Sequence, residues 1–493
     1  MPIDGNPVAT EPPAPDADLM FDPDIAPSGT LLGLLQRGRG DGTLHALAAP
    51  RAEALAALHH CVLRDPRRDW QVENRSLYYA RLCLDLDAGL DEIEQHLFHP
   101  DDLVNDDEER TGLALSVLGH LAAYGRSDAL RLLRRYAAAG SNWEWALDEL
   151  ALRDDDTGLR GLAPAILAHF PRTPDGDAEL ATVVRGAYEP RPWRLWADDP
   201  DHGPRVRAAA ERGAFDRWQR QLRPSGPRPG WSVHDILLWA QREHDLKPDA
   251  RRPDAAARCL AAVAGPEDRP ELLAAAASAP DAARAAALRH LAEIGDPEVL
   301  DLIEAAVTEP DASQLVSQAA LSAFERMRSI AALDRARVWA HRPDALGDAA
   351  AAMLSCRGGQ YDTPLVLAAL RRTVRAEGPD AQTLWTLVDG AGRLAISCAA
   401  PVLRHIYRET ASSHLRGRAA RALAATDPTF AAGFAVECLW DCEESTREVA
   451  ARHAATADAR VVEQLRRLAA DPAEEAEVQT AVRSRIGPET PGF

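Results

Sequence analysis

Cys438 and Cys442 stand four residues apart in the run CLWDC. On a helix that spacing puts both sulfurs on one face, where two thiolates could share a metal with two further ligands. His453 is the nearest histidine. The same spacing suits two thiols buried against the next helix, and that is the plainer reading. His59-His60-Cys61 divides in the same way between packing and surface. His96 and His99 beside Asp101 and Asp102 could gather a metal, but they fit a solvated helix end as well. The run DDLVNDDEER carries six carboxylates. Its spacing matches no EF-hand loop, and acidic residues entering a helix favour the helix dipole.

Other catalytic patterns are absent. There is no GxxxxGK[ST] phosphate loop, no HExxH pair and no GxSxG elbow. The one local constellation that stands out is aromatic and cationic. It comprises Tyr188, Trp193, Arg194 and Trp196 in YEPRPWRLW, followed by Arg217, Trp218, Arg220 and Trp231. Arg and Trp dominate interaction hot spots, and guanidinium groups stack on indoles. This set is the candidate partner-binding surface. The competing reading makes the tryptophans filler where regular helix stacking fails, with Arg stems lying over them. The segment that holds them, 171–252, is broken by prolines and carries five of the eleven tryptophans.

The elements around that segment are helical. Of the 493 residues, 46% are hydrophobic and only 5% aromatic, and alanine supplies much of the apolar content. Strand-type runs of Val, Ile, Thr and Tyr are nearly missing. The expected fold class is all-α. The net charge of −20 argues against nucleic acid and anionic membranes as main partners. One lysine, Lys247, stands among 56 basic residues, so the abundance of arginine reflects composition rather than function. Seven scattered cysteines suit buried free thiols in a reducing compartment. No cationic segment with an apolar run opens the chain, and no run is long enough to span a bilayer; a cytoplasmic location is expected.

Residues 284–303, RAAALRHLAEIGDPEVLDLI, set the rhythm. Ala287, Leu288 and Leu291 form one helical stripe; Val299, Leu300 and Ile303 form the next. Gly295 should end the first helix, Asp296 cap the second, and Pro297 occupy its first position. Arg284 through Asp296 recurs as Arg416 through Asp427 and Arg447 through Asp458. The interval from Arg284 to Arg416 is four units of 33 residues. Four divisions follow: a disordered acidic, Pro-rich leader at 1–30, a helical array at 31–170, an irregular bridge at 171–252, and a second array at 253–493 with a terminal cap.

This pattern resembles HEAT repeats, closest to the short bacterial kind called the PBS-lyase HEAT-like repeat. The resemblance implies an α-solenoid whose concave face binds other macromolecules. It also implies that Arg284, Asp296, Arg416, Asp427, Arg447 and Asp458 stabilise the repeat. Such solenoids include enzymes: an iron hydroxylase built on His-Glu dipeptides, alkyl-base glycosylases with a basic groove, and bilin lyases. None of the fifteen histidines precedes a glutamate. The acidic charge opposes a DNA groove, and no Cys/His set supports lyase chemistry. The expectation is therefore a non-enzymatic scaffold or adaptor for a protein partner, needing no cofactor or metal. An enzyme or tailoring-enzyme accessory acting on a small molecule or modified base is the alternative, and an acidic nucleic-acid mimic a further one.

Overall fold

The computed structural model describes residues 25–65, 75–103, 108–211, 230–246, 252–310 and 312–486. Among them every regular element is a helix, with no strand. The chain is an all-helical, solenoid-like protein in which each helix packs mainly on its neighbours in sequence.

From Arg252 onward the helices alternate between two layers. One layer runs through Asp281–Glu293, Gln314–Arg326, Ala345–Arg357, Leu384–Arg393, Ser413–Thr426, Glu444–His453 and Ala476–Ile486, each stacked on the next. These helices are covered on several sides, so small residues dominate them. Asp281–Glu293 buries Ala282, Ala283, Ala285, Ala286 and Ala287 as well as Leu288 and Leu291. A Cβ added to Gly392 would lie 3.0 Å from the Cα of Ala422, which shows how closely successive backbones approach. The alternate helices, such as Val299–Thr308 and Ala400–Glu409, bury a single stripe.

The expected corner forms at Gly295. Its φ is +76°, and the Asp296 N–H reaches Leu291 O at 3.0 Å, the six-to-one bond that closes a helix on a left-handed residue. Ile396 N–H to Ala391 O and Arg126 N–H to Leu121 O repeat it, around left-handed Ala395 and Gly125. Pro297 differs from expectation. It lies in a turn that leads into the α-helix starting at Val299, while Asp296 caps as expected, its Oδ1 accepting the Glu298 N–H at 2.9 Å.

The repeat arginines and aspartates are not partners of one another. Asp296 receives Arg269 through two bonds of 2.5 and 3.0 Å, and Asp427 receives Arg404 at 2.7 Å. Each guanidinium comes from the second helix of the preceding unit. Arg284 instead bonds Ala276 O and Glu309. Asp458 caps its own helix at the Arg460 N–H. A further set of arginines caps helix ends one unit back. Arg393 reaches Ser355 O and Gly358 O, and Arg485 reaches Ala451 O and Ala454 O. These carbonyls have no intrahelical partner, and cations there suit the helix dipole.

The first array does not stop at Phe170. Its core continues through Leu180, Trp193, Trp196 and Val206 to Ala209, carried by the helices Pro174–Gly186, Arg191–Ala197 and 203–211. The second core begins at Val233 on the helix Val233–Leu246. Most of the leader lies outside the described residues. Its last part, expected to be disordered, is tied down: Ala26 N–H bonds Gln36 Oε1 at 2.8 Å, Ser28 bonds Glu409 at 2.7 Å, and Thr30 caps the helix Leu31–Gln36.

Candidate functional site

The structure separates the residues of the aromatic and cationic set. Trp193 and Trp196 meet edge to face at 4.9 Å inside the first core. The Trp196 Nε1–H donates to Leu159 O at 2.8 Å, so its polar end is satisfied internally. Arg194 and Tyr188 are exposed, the latter at 82%. Trp231 lies half-buried on Trp239 against the second core. Arg217, Trp218 and Arg220 lie outside the described residues.

The cysteine and histidine candidates are also dispersed. Cys438 is buried with its sulfur 3.1 Å from the Tyr407 hydroxyl. Cys442 is buried beside Arg416, and His453 sits edge-on to Phe430. Cys61 belongs to the first core, and burial lowers the pKa of His59. His96 Nε2 bonds Arg110 O, while His99 and Asp101 are exposed on one turn. Among the described residues no group of three or more His, Cys, Asp and Glu is placed to hold a metal. None of the described helices is long and apolar enough to cross a membrane.

The structure brings together a different set, where the two arrays meet. Gly38 to Gly40 run against residues 437–442. The Gly38 carbonyl accepts the Cys442 N–H at 2.9 Å. A Cβ on Gly40 would stand 1.8 Å from Glu437 O, so the two backbones touch. Around this contact three arginines of the first array converge on the end of the helix Ala400–Glu409. Arg39 bonds Arg408 O at 2.7 Å, Arg37 bonds Glu409 O at 3.2 Å, and Arg75 bonds Ala411 O at 3.3 Å. Carbonyls at a helix C-terminus carry partial negative charge, so these cations meet complementary acceptors.

Beside this contact lies a chain of ion pairs. Arg416 holds Asp441 through bonds of 2.8 and 3.0 Å, with both side chains fully buried. Arg447 holds Glu474 at 2.9 and 2.7 Å. Arg81, from the first array, bonds both Asp471 at 2.9 Å and Glu474 at 3.1 Å. Burial lowers the pKa of Arg81, but the charges of Glu474 and Asp471 outweigh it and the net shift is upward. Tyr124 donates to Asp471 at 2.9 Å, and burial pushes its pKa to about 12. The line continues into the first array. His120 is lowered to about 4 by burial and by Arg153 and Arg81. Ser116 donates to Glu149 at 2.9 Å and accepts from Trp145 Nε1 at 2.9 Å. Gly119 makes room for Glu149, whose carboxylate occupies the place of a Cβ there.

A cavity of about 360 Å³ opens in this junction. Tyr78, Leu82, Tyr124, Leu439, Trp440 and Leu468 give it apolar walls, and Arg81, Asp85, Asp471 and Arg467 edge it. Its carboxylates are committed: Asp85 to Arg467 at 2.6 Å, Asp441 to Arg416, Asp471 to Arg81 and Tyr124. Trp440, Gln464 and Arg467 also border an adjoining shallow groove, walled by Leu44, Leu47 and Ala48 of the helix Gly40–Ala48. Sequence patterning missed this site because its members come from positions some 370 to 390 residues apart. The local trace that existed was Gly38-Arg39-Gly40, two glycines flanking an arginine at the start of the first array.

The fold and the junction define a class: a solenoid-like helical protein whose first array closes onto the last units of its second. No family model matches the chain, no curated protein matches it, and no solved structure matches it.

Proposed function

We propose that the protein is a non-enzymatic binding scaffold that receives a protein partner at the junction of its arrays, with the groove beside Trp440 as recognition surface. The single observation that carries this reading is continuity: the junction cavity shares Trp440, Gln464 and Arg467 with an open groove walled by Leu44 and Leu47. A partner can lay a segment along the groove and sink one apolar side chain into the cavity. Leu47 is 43% exposed and Trp440 half-buried, so apolar surface is available without rearrangement. Trp and Arg at the centre of such a surface are the residue types that dominate binding energy. The HEAT-like rhythm supports the same reading by resemblance.

Affinity capture on the immobilised full chain tests it, with Trp440→Ala and Leu47→Asp versions alongside. A partner retained saturably by the natural chain and lost with either substitution is the expected result. Equal retention by all three chains, or no saturable retention, counts against it. A second reading places a small ligand in the cavity, favoured by its volume, which falls in the range of small-molecule sites. A ligand that raises Tm and is unaffected by Leu47→Asp would favour that reading.

A further inference from the structure

We propose that the junction is a proton-linked clasp governed by Glu437, closed when its carboxyl is protonated and loosened when it ionises. This regulates the groove described above and rests on that reading only for its consequence, not for its physics. Glu437 lies in the short helix Phe434–Cys438, against the first turn of Gly40–Ala48. Its carbonyl accepts the Trp440 N–H at 3.1 Å and touches the Gly40 backbone. One turn therefore carries the groove's tryptophan, the contact with Gly40 and the carboxyl.

That carboxyl is poorly provided for. Its Oε1 is buried and has no hydrogen-bond partner. A buried acceptor without a donor is costly, and far more so when charged. The groups facing it come from each neighbouring element. Asp41, on the helix Gly40–Ala48, adds a second negative charge. Arg39 opposes it, yet that guanidinium is divided between Asp41 and Arg408 O. From Ala400–Glu409 come the Tyr407 hydroxyl, whose hydrogen bond to the carboxyl favours the ionised form, and Arg408, which favours it too but whose guanidinium lies over Phe434; burial and Asp41 outweigh both. Arg416 of Ser413–Thr426 is taken up by Asp441. Burial first, and Asp41 second, push the Glu437 carboxyl up to about 7.

In an opened junction Glu437 meets water and titrates near the ordinary 4.5. The closed form thus binds the proton more tightly. Closure is favoured below about 4.5, and that advantage is lost as pH rises through 7. Ionised Glu437 beside Asp41 drives Gly40–Ala48 away from Trp440, removing the Leu44 and Leu47 wall.

Hydrogen exchange on the intact chain, corrected for intrinsic amide rates, reads the opening without any partner. Amides of residues 40–48 are expected to report an opening population that rises on the order of 50-fold between pH 5 and pH 8. Glu437→Gln is expected to remove that rise while leaving residues 281–293 unchanged, and Glu437→Met to do the same. A natural chain with no rise, or a Glu437→Gln chain that keeps it, overturns the proposal. Either result leaves the groove reading standing, because that reading is tested by capture at a single pH.

Discussion

Gly38 and Cys442 are in backbone contact across the junction: the Gly38 carbonyl accepts the Cys442 N–H at 2.9 Å, and a Cβ on Gly38 would lie 2.4 Å from the Cys442 sulfur. Gly38 also has φ of +64°, a conformation that costs an L-residue about 1 kcal/mol. Gly38→Ala combines that strain with a steric clash against a buried atom. A loss of about 2–4 kcal/mol is expected in urea unfolding. Gly125 also has a positive φ, +88°, but open space around it, and Gly125→Ala should lose only about 1–2 kcal/mol. Comparing the two isolates the junction contact.

Arg416 and Asp441 form a fully buried pair. Removing one partner strands a charge without solvent. Arg416→Met alone is expected to cost about 3–5 kcal/mol, as is Asp441→Asn to a lesser degree. Replacing both by apolar residues of similar volume should cost less than either single change predicts by addition. A double-mutant cycle followed by thermal unfolding measures this.

The tryptophan set makes a prediction that separates core from surface. Trp196→Ala is expected to cost about 3–5 kcal/mol, since the ring is fully buried and its Nε1–H serves Leu159. Tyr188→Ala should leave stability within about 0.5 kcal/mol, because the ring is exposed. Equal effects on Tm would contradict this placement.

Much of the fold was legible in local pattern. The stripe at Leu288 and Leu291, the Gly295 corner and the repeat interval all follow from short-range sterics and periodicity. The partners of the repeat residues were not legible. Asp296 bonds Arg269 rather than Arg284 because the guanidinium that reaches a corner comes from the neighbouring unit, a choice set by stacking geometry. The candidate site was hidden for the same reason. Arg416 and Arg447 look like ordinary repeat positions, yet at this end of the array they face Gly38 O and the Glu474–Arg81 network. Only tertiary closure gives them that role. Trp193 and Trp196 mislead in the opposite sense, since composition flags them and packing consumes them.

Glu443 gives a pH response opposite to that of Glu437. Burial raises its pKa, but the hydrogen bond and charge of His414 outweigh burial and bring it down to about 2. A carboxyl depressed from 4.5 to about 2 contributes stability that is complete above the higher value. That contribution, about 3 kcal/mol, is lost as pH falls through the window between them. Glu443→Gln should flatten the acid limb of the stability profile, the part below pH ~5. A persistent acid limb in that variant would assign it to other carboxylates.

Under the proposed function, a partner is recognised on the groove between Gly40–Ala48 and Trp440. Hydrogen exchange of the full chain with and without its captured partner tests it most directly. Protection is expected at residues 43–48 and 459–468, with no change at 188–196. Protection confined to 188–196, or spread along the second array away from Trp440, would place the partner elsewhere and overturn the proposed function.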